Sequence, residues 1–467
     1  MIDHIVIVLY LAMILYIGFT SRRLAGFREF AISHGHYGWL VICCTLSASF
    51  IGGGFSTGNA AKVFSNGMVY PLALLGFSLQ IILVALFVAP RIKSFPNAVS
   101  VGDIIEPAYG KKARIITGFF SMLICAGILG AQIGALGAIF NVFFGVSPII
   151  GILIGCGIIF FYSTIGGMAA VVKTDILQFI LLIIGIPLIF VFGISMCGGW
   201  QAFVAAIPES HLEILSERMP LWSFVSLFLV FVFGETLVPP YVQRLLLGRD
   251  AKATSKGNLL SGILSAPFFL ISGALGLIAL QLTPDISSNL ALPAIIKVVL
   301  PIGLSGLVIS GVISIVMSSA DSFLNAASVA LVQDVIKPLR REPLTDRQAL
   351  NIARLTNLIT GGVALLFAFM IPNVLDILIA AYDYWAPTVL VPLVAVLLGK
   401  KAIKASFYAA VVAGTTTTLI WDKLLGSPYG IQGFLMGTLL SLIAFVLVNT
   451  FSTNQKAQDD TLLPRRS

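Results

Sequence analysis

Residues 309–338 read ISGVISIVMSSADSFLNAASVALVQDVIKP, an apolar run in which oxygen-bearing side chains collect. The run is long enough to cross a bilayer, which takes roughly 20 residues at 1.5 Å rise. On a helix, Ser318, Asp321 and Ser322 stand at i, i+3 and i+4 and share one face, with Ser319 about 100° further round. Asn325 and Ser328 follow. Hard oxygens gathered beside one helix are the donor set of a small hard cation. A carboxylate in hydrocarbon costs a few kcal/mol or more, and a bound cation offsets that cost. The competing reading has the serines bonding only to the carbonyl four residues back, a common habit in membrane helices. The added aspartate weighs for a cation site.

Two other stretches are unlike ordinary membrane helices. In LSASFIGGGFSTGN, Gly52, Gly53, Gly54 and Gly58 fall at mid-span. Each glycine costs a helix about 1 kcal/mol, so three in a row favour a break that frees backbone carbonyls over simple close helix packing. In FVFGETLVPPYVQR, Gly234, Glu235, Pro239 and Pro240 interrupt a second apolar run. Proline there removes a hydrogen bond and clashes with the preceding turn.

The whole chain has the character of these stretches. Of 467 residues 58% are hydrophobic and 10% charged, with mean hydropathy +1.02. This excludes a soluble globular domain and indicates an all-α polytopic membrane protein in contact with membrane lipid. Thirteen spans are expected, near 4–20, 38–61, 69–89, 113–141, 147–164, 173–195, 222–246, 257–281, 302–331, 350–371, 374–398, 404–422 and 430–450. They form one transporter-like unit over 1–450, followed by a short polar tail, 451–467, with no room for a soluble output domain. The first run lacks a basic leader and a cleavage site and reads as a retained helix. Cys43, Cys44, Cys125, Cys156 and Cys197 lack paired spacing, and His4, His34, His36 and His211 are scattered, so neither a disulfide framework nor a transition-metal site follows.

The net charge of +8 falls between apolar runs and does not call for nucleic acid. Alternate loops carry Arg22, Arg23 and Arg28; Arg91, Lys93, Lys111, Lys112 and Arg114; Arg244, Arg249, Lys252 and Lys256; Lys337, Arg340, Arg341 and Arg347; and Lys400, Lys401 and Lys404. The opposite loops hold only Lys62, Arg218, Lys297 and Lys423. Positive charge stays inside, so the N-terminus is expected outside and the C-terminus in the cytoplasm, with a bacterial cytoplasmic membrane as the setting. The longest outer connection, 198–220, carries Glu209, Glu213 and Glu217 and a short interfacial helix near 200–206. Each broken run opens a set of five spans (two to six, seven to eleven), the pattern of an inverted-repeat transporter with its site at the repeat interface.

Taken together, these residues resemble the sodium:solute symporters. YSTIGGMAAVVKTDILQ (162–178) is similar to that family's GG-x-x-AV-x-x-TD-x-x-Q signature, YVQRLLLGRDAKAT (241–254) to its QR loop, and VMSSADS to its ninth-span motif. The resemblance covers essentially 1–450 and implies a LeuT-like five-plus-five fold. It also implies Na+ as coupling ion without an organic cofactor. Carried over, the sodium ligands would be the carbonyls of Ala48, Ile51 and Ile315 and the hydroxyls of Ser318 and Ser319. A second cation site would use Asp175, Ser318, Asp321 and Ser322, with aspartate at 321 where such members have serine. Two carboxylates bind a cation more strongly, or one of them holds a proton. Alternatively, Asp175 pairs with an inner-face basic residue.

SFIGGGF and VMSSADS are most similar to the choline-transporter branch, although Phe50 stands where that branch has tryptophan. Candidate solute residues are Phe50, Gly53, Gln132, Glu235, Tyr382 and Asp383. The last two belong to AAYDYWAP, where an acid bracketed by Tyr382, Tyr384 and Trp385 can hold a cationic amine or anchor at the interface. Gln132 can instead join neighbouring helices, and Glu235 can cap a freed backbone end. The solute is a small amino acid, betaine or choline-like molecule. Proton coupling through Asp175 and Asp321 is the rival within transport, and a channel-like membrane sensor is the rival outside it. No nucleophile–base pair or phosphate loop points to an enzyme.

Overall fold

A computed structural model describes residues 2–20, 26–33, 35–217, 219–371, 373–383 and 385–462, with the side chains of 18, 161–166 and 452–462 left aside. Arg22, Arg23, His34, Arg218 and Tyr384 lie outside the described residues. The described chain is helical. Its membrane helices are α1 (Ile2–Thr20), α2 (Trp39–Phe50), α3 (Asn59–Asn66), α4 (Val69–Phe87), α5 (Lys111–Phe144) and α6 (Pro148–Met196). There follow α7 (Leu221–Phe233), α8 (Pro239–Leu247), α9 (Ala251–Leu282), α10 (Leu304–Val329) and α11 (Asp346–Met370). The last are α12 (Val374–Tyr382), α13 (Val391–Leu397), α14 (Lys404–Leu419) and α15 (Gly433–Leu462).

Each expected span falls on one of these helices or on a pair. Eight helices are long and apolar enough to cross a membrane alone, or nine when the pair on either side of the triple glycine is one bent span. Further apolar helices of 10–17 residues cover 2–17, 148–160 and 221–233. The interfacial helix expected near 200–206 is Trp200–Ala205.

The two breaks have different causes. Between α2 and α3 the chain bends by 60°. The last regular bond runs from the Ile51 N–H to the Ser47 carbonyl, and the next helical bond runs from Ser56 to Gly52. No backbone N–H among the described residues reaches the carbonyls of Ala48, Ser49, Phe50 and Ile51, as expected where glycines leave the ladder unsupported. Between α7 and α8 the break lies at 234–238, with Leu237 at φ +57°. Here the expectation needs correcting. Pro239 and Pro240 do not interrupt a helix; they occupy the first turn of α8, where a missing N–H is tolerated.

α10 is the axis of the molecule. From Val308 to Ala330 every residue is buried, so this helix meets protein on all sides. Its N-terminal end is capped in trans: Asp3 Oδ1 on α1 accepts the N–H groups of Gly303 at 2.6 Å and Gly306 at 2.9 Å. This satisfies orphan donors at a helix start and puts a carboxylate where the helix dipole favours one. Beyond the C-terminal end of α10, the buried Asp334 accepts from Ser100 Oγ at 2.6 Å and Arg114 Nε at 3.1 Å. The Arg114 guanidinium also pairs with Asp103 and Glu106. Both ends of the axis are therefore fixed by charged groups from other elements.

α6 holds two expected spans, separated at Gly167, whose φ of +58° is a left-handed backbone. A Cβ there costs roughly 1–2 kcal/mol. Gly167→Ala should therefore lower the midpoint of thermal unfolding in detergent. Gly157→Ala, at a position open on all sides, should leave it unchanged. Equal midpoints for both variants would contradict the assignment.

Candidate functional site

The ninth-span cluster faces the first break, the pairing that the family resemblance implied. Ser319 Oγ on α10 donates to the Ser49 carbonyl at 2.7 Å, and Ser49 and Ser322 hydroxyls lie 3.3 Å apart. A side chain at Gly52 would collide with Ser319 Oγ and with Gln132, so glycine is what allows the two backbones to approach. Gln132 Oε1 on α5 accepts the Gly53 N–H at 2.7 Å. That bond gives Gln132 a bracing role at the break and fits the reading in which it joins neighbouring helices. Ile315, one turn before Ser319, is buried on the same helix.

Asp175 on α6 is fully buried and surrounded by donors. The Thr45 and Ser318 hydroxyls donate to its two oxygens, and Arg244 Nη2 lies 3.5 Å from Oδ2. A hydroxyl that gives its proton to a carboxylate keeps its lone pairs for another partner. Asp175 thus turns Ser318 into an acceptor, and the Ser49 carbonyl does the same for Ser319. Both hydroxyls thus keep lone pairs free to accept from, or ligate, another partner.

Arg244 is the residue that sequence reasoning misplaced. It was expected on a cytoplasmic loop, yet it is 0% exposed, because α8 continues beyond the break and carries it inward. Its Nε donates to the Thr45 carbonyl at 3.2 Å and its Nη1 to the Pro240 carbonyl at 3.2 Å. Nη2 also donates to Ser322 Oγ. Asp321, also fully buried, acts on the same guanidinium electrostatically. Asp175 and Ser322, two of the four expected second-site ligands, therefore already meet a resident cation, and Asp175 makes the basic pairing weighed as its alternative. The signal was present in the sequence: an arginine followed directly by three leucines lies in a buried context.

The solute candidates divide. Glu235, buried in the α7–α8 break, accepts from Tyr382 Oη on α12 at 3.0 Å. Trp385 Nε1 donates to the Thr236 carbonyl at 2.8 Å. Phe55 packs against Phe77, Phe231 and Phe269 with ring centroids 4.6, 6.2 and 5.6 Å apart. Phe50 packs on Tyr241 of α8 with ring centroids 4.9 Å apart and ring planes tilted by 52°. Asp383 is not part of this group; its charged neighbours are Asp422 and Lys423 beyond α14. Elsewhere, Lys62 of α3 pairs with Asp376 of α12 at 2.8 Å, a tie that the sequence did not reveal.

A family model described as the sodium:solute symporter family matches residues 30–414. The chain belongs to the sodium:solute symporter family. That membership makes it a transporter by family and not an enzyme, with Na+ as the family's coupling ion and no organic cofactor. Among curated relatives, a high-affinity choline transporter from Drosophila melanogaster is 23% identical over 79% of this chain and 62% of its own length. The chain thus spans less than two thirds of that relative. A sodium/proline symporter from Staphylococcus aureus is 22% identical over 98% of this chain and 94% of the other. A Na+-coupled sialic acid symporter, solved substrate-bound and outward-open, superposes with a TM-score of 0.80 at 20% identity. The superposition covers 97% of this chain and 98% of that one, and it establishes a shared fold with a symporter of this type.

Removing one member of a buried ion pair leaves an uncompensated charge and costs about 3–5 kcal/mol. Asp175→Asn and Arg244→Gln should each lower detergent thermal stability sharply, and the double variant should recover part of the loss. Strictly additive losses would show that the two groups are not coupled.

Proposed function

We propose that the chain imports a small polar organic solute together with Na+, by alternating access across thirteen crossings, with the N-terminus outside. The supporting observation is the Ser319 hydroxyl meeting the Ser49 carbonyl in the broken backbone at Ala48–Ile51, with its neighbour Ser318 held on Asp175. It offers hard oxygen ligands from two helices that a cation would hold together. Ala48, Ile51, Ile315, Ser318 and Ser319 are the proposed sodium ligands. Sodium bound there stabilises the outward-open form, and the bundle then rocks to release ion and solute inside. Each inward positive charge gains about 2.3 kcal/mol per 100 mV. The setting is a bacterial cytoplasmic membrane.

Glu235 is the proposed solute residue. It is a buried carboxylate in the second break whose bonded partner is a neutral tyrosine, and phenylalanines line the neighbouring α2–α3 break. Such a site suits a solute bearing a positive centre: choline-like, a betaine or an amino acid. Gly53 and Gln132 shape the opposite break.

Proton coupling has one specific observation in its favour. Asp175 and Asp321 are both fully buried and both act on the Arg244 guanidinium. Either a second cation on Asp175, Ser318, Asp321 and Ser322 or a proton on one carboxylate would change the charge balance there. Uptake into proteoliposomes with sodium and pH gradients imposed separately decides between the two. Accumulation driven by sodium alone is expected, and dependence on pH alone would remove the sodium assignment.

Ser318→Ala and Ser319→Ala should each raise the sodium concentration for half-maximal uptake about tenfold, the equivalent of about 1.4 kcal/mol of lost ion binding. An unchanged sodium dependence in both would count against the hydroxyl ligands. Glu235→Gln should weaken uptake of a cationic solute while leaving Na+ binding, measured as thermal stabilisation by NaCl, intact. Unaltered solute affinity would remove Glu235 from the site.

A further inference from the structure

A groove of about 820 Å³, lined by none of the proposed ion or solute residues, opens on the flank of the molecule. Leu229 and Phe233 of α7, Val394 of α13 and Leu439 and Leu442 of α15 form its walls. Leu439 and Leu442 are 48% and 47% exposed, so the groove is open to its surroundings along its length. Trp222 stands at one end, and Lys400, Lys401, Asn449 and Thr450 stand at the other. The lysine end is a fixed structure. Asn449 Nδ2 donates to the Lys401 carbonyl at 2.9 Å, and its Oδ1 accepts from the Ile403 N–H at 3.1 Å, which pins the segment after α13 to α15.

In a bilayer the occupant of such a space is set by two of its features. The walls are carbon over the depth of the hydrocarbon, so the buried part of the ligand is an alkyl chain. The two lysines lie where that chain would reach the headgroup region, and juxtamembrane lysines attract anionic lipid. A zwitterionic headgroup gains less from the pair, and a protein partner would have to present an anionic group at the end of an apolar helix. We propose that the groove is a binding site for an anionic phospholipid, with one acyl chain along α7, α13 and α15 and its phosphate on Lys400 and Lys401.

The position gives the occupant leverage. Phe233 and Thr236, at the α7–α8 break, line the groove, and the Thr236 carbonyl receives the Trp385 indole. Leu390, in the loosened turn between α12 and α13, lines it as well. A chain lying there supports the outer side of the segment whose inner side carries Glu235, so the lipid stabilises one setting of that break.

The test is retention of lipid by the full chain, read by native mass spectrometry after purification with equal phosphatidylglycerol and phosphatidylcholine of matched acyl chains. The wild type should keep phosphatidylglycerol in at least fivefold preference. K400Q/K401Q should lose the preference while keeping total lipid. Val394→Phe and Leu439→Trp, which fill the groove, should lose bound lipid of both kinds; two variants are used so that one misfolded protein does not decide the matter. Water-soluble glycerophosphoglycerol should not displace the lipid. Equal retention of the two lipids by the wild type, or a preference that survives K400Q/K401Q, would overturn the proposal. So would displacement by the soluble headgroup, or a dimer that replaces lipid and is lost in Leu439→Trp. The readout is independent of transport, so its failure and failure of the sodium assignment are separable.

Discussion

Arg244 sits fully buried among two carboxylates, one hydroxyl and two backbone carbonyls contributed by four helices. Hydrocarbon does not solvate a guanidinium, so the helices that supply its partners must arrive together or the charge is stranded. α2 brings Thr45, α6 brings Asp175 and α10 brings Ser322 and Asp321, while α8 carries the arginine itself. The same groups orient Ser318 through Asp175. The electrostatic knot that ties these four helices together is therefore continuous with the oxygens proposed to bind sodium.

Broken helices impose a second demand, because a backbone group freed at membrane depth must meet protein, water or ligand. The two breaks meet it differently. At the first, Gln132 takes the Gly53 N–H and Ser319 takes the Ser49 carbonyl, which leaves Ala48 and Ile51 with acceptor oxygens and no N–H. At the second, Trp385 takes the Thr236 carbonyl, and proline at the start of α8 removes donors that would otherwise need partners. One break has spare acceptors, as the proposed cation site requires. The other has few spare backbone groups but a buried acid. The proposal accordingly puts ion and solute on different halves of the repeat.

Much of this was legible in the sequence because the signals were local. Triple glycine, a serine pair and an aspartate at helical spacing, and alternating charge between apolar runs are each read within about twenty residues. The helices appeared where the apolar runs stood, and the ninth-span cluster met the glycine break. What was not legible depended on pairings distant in sequence. Arg244 lies 69 positions beyond Asp175, and Lys62 lies 314 positions before its partner Asp376. A basic residue between apolar runs looks the same whether it reaches water or folds inward. Asp383 failed for a related reason: at a helix end, one residue's difference turned Tyr382 towards Glu235 and its neighbour towards Asp422 and Lys423. Spacing along a helix decides which side chains share a face, but the partner of that face is decided by packing.

The two ion pairs that tie moving elements are unequal, and the inequality has a direction. Lys62–Asp376 closes α3 on α12 with side chains 14% and 46% exposed. A pair so placed is worth about 0–1 kcal/mol, since water solvates both ions when they part. Arg244–Asp175 is fully enclosed, and water must enter before those ions can separate at tolerable cost. The Lys62–Asp376 tie can therefore part on thermal motion and salt screening alone, whereas parting Arg244 from Asp175 needs a change in the charge balance around Asp175. A cation at Ser318, as proposed, would be such a change, because Ser318 is itself bonded to Asp175. In that proposal ion binding and the release of Arg244 act on the same carboxylate, which is the physical condition for coupling one to the other.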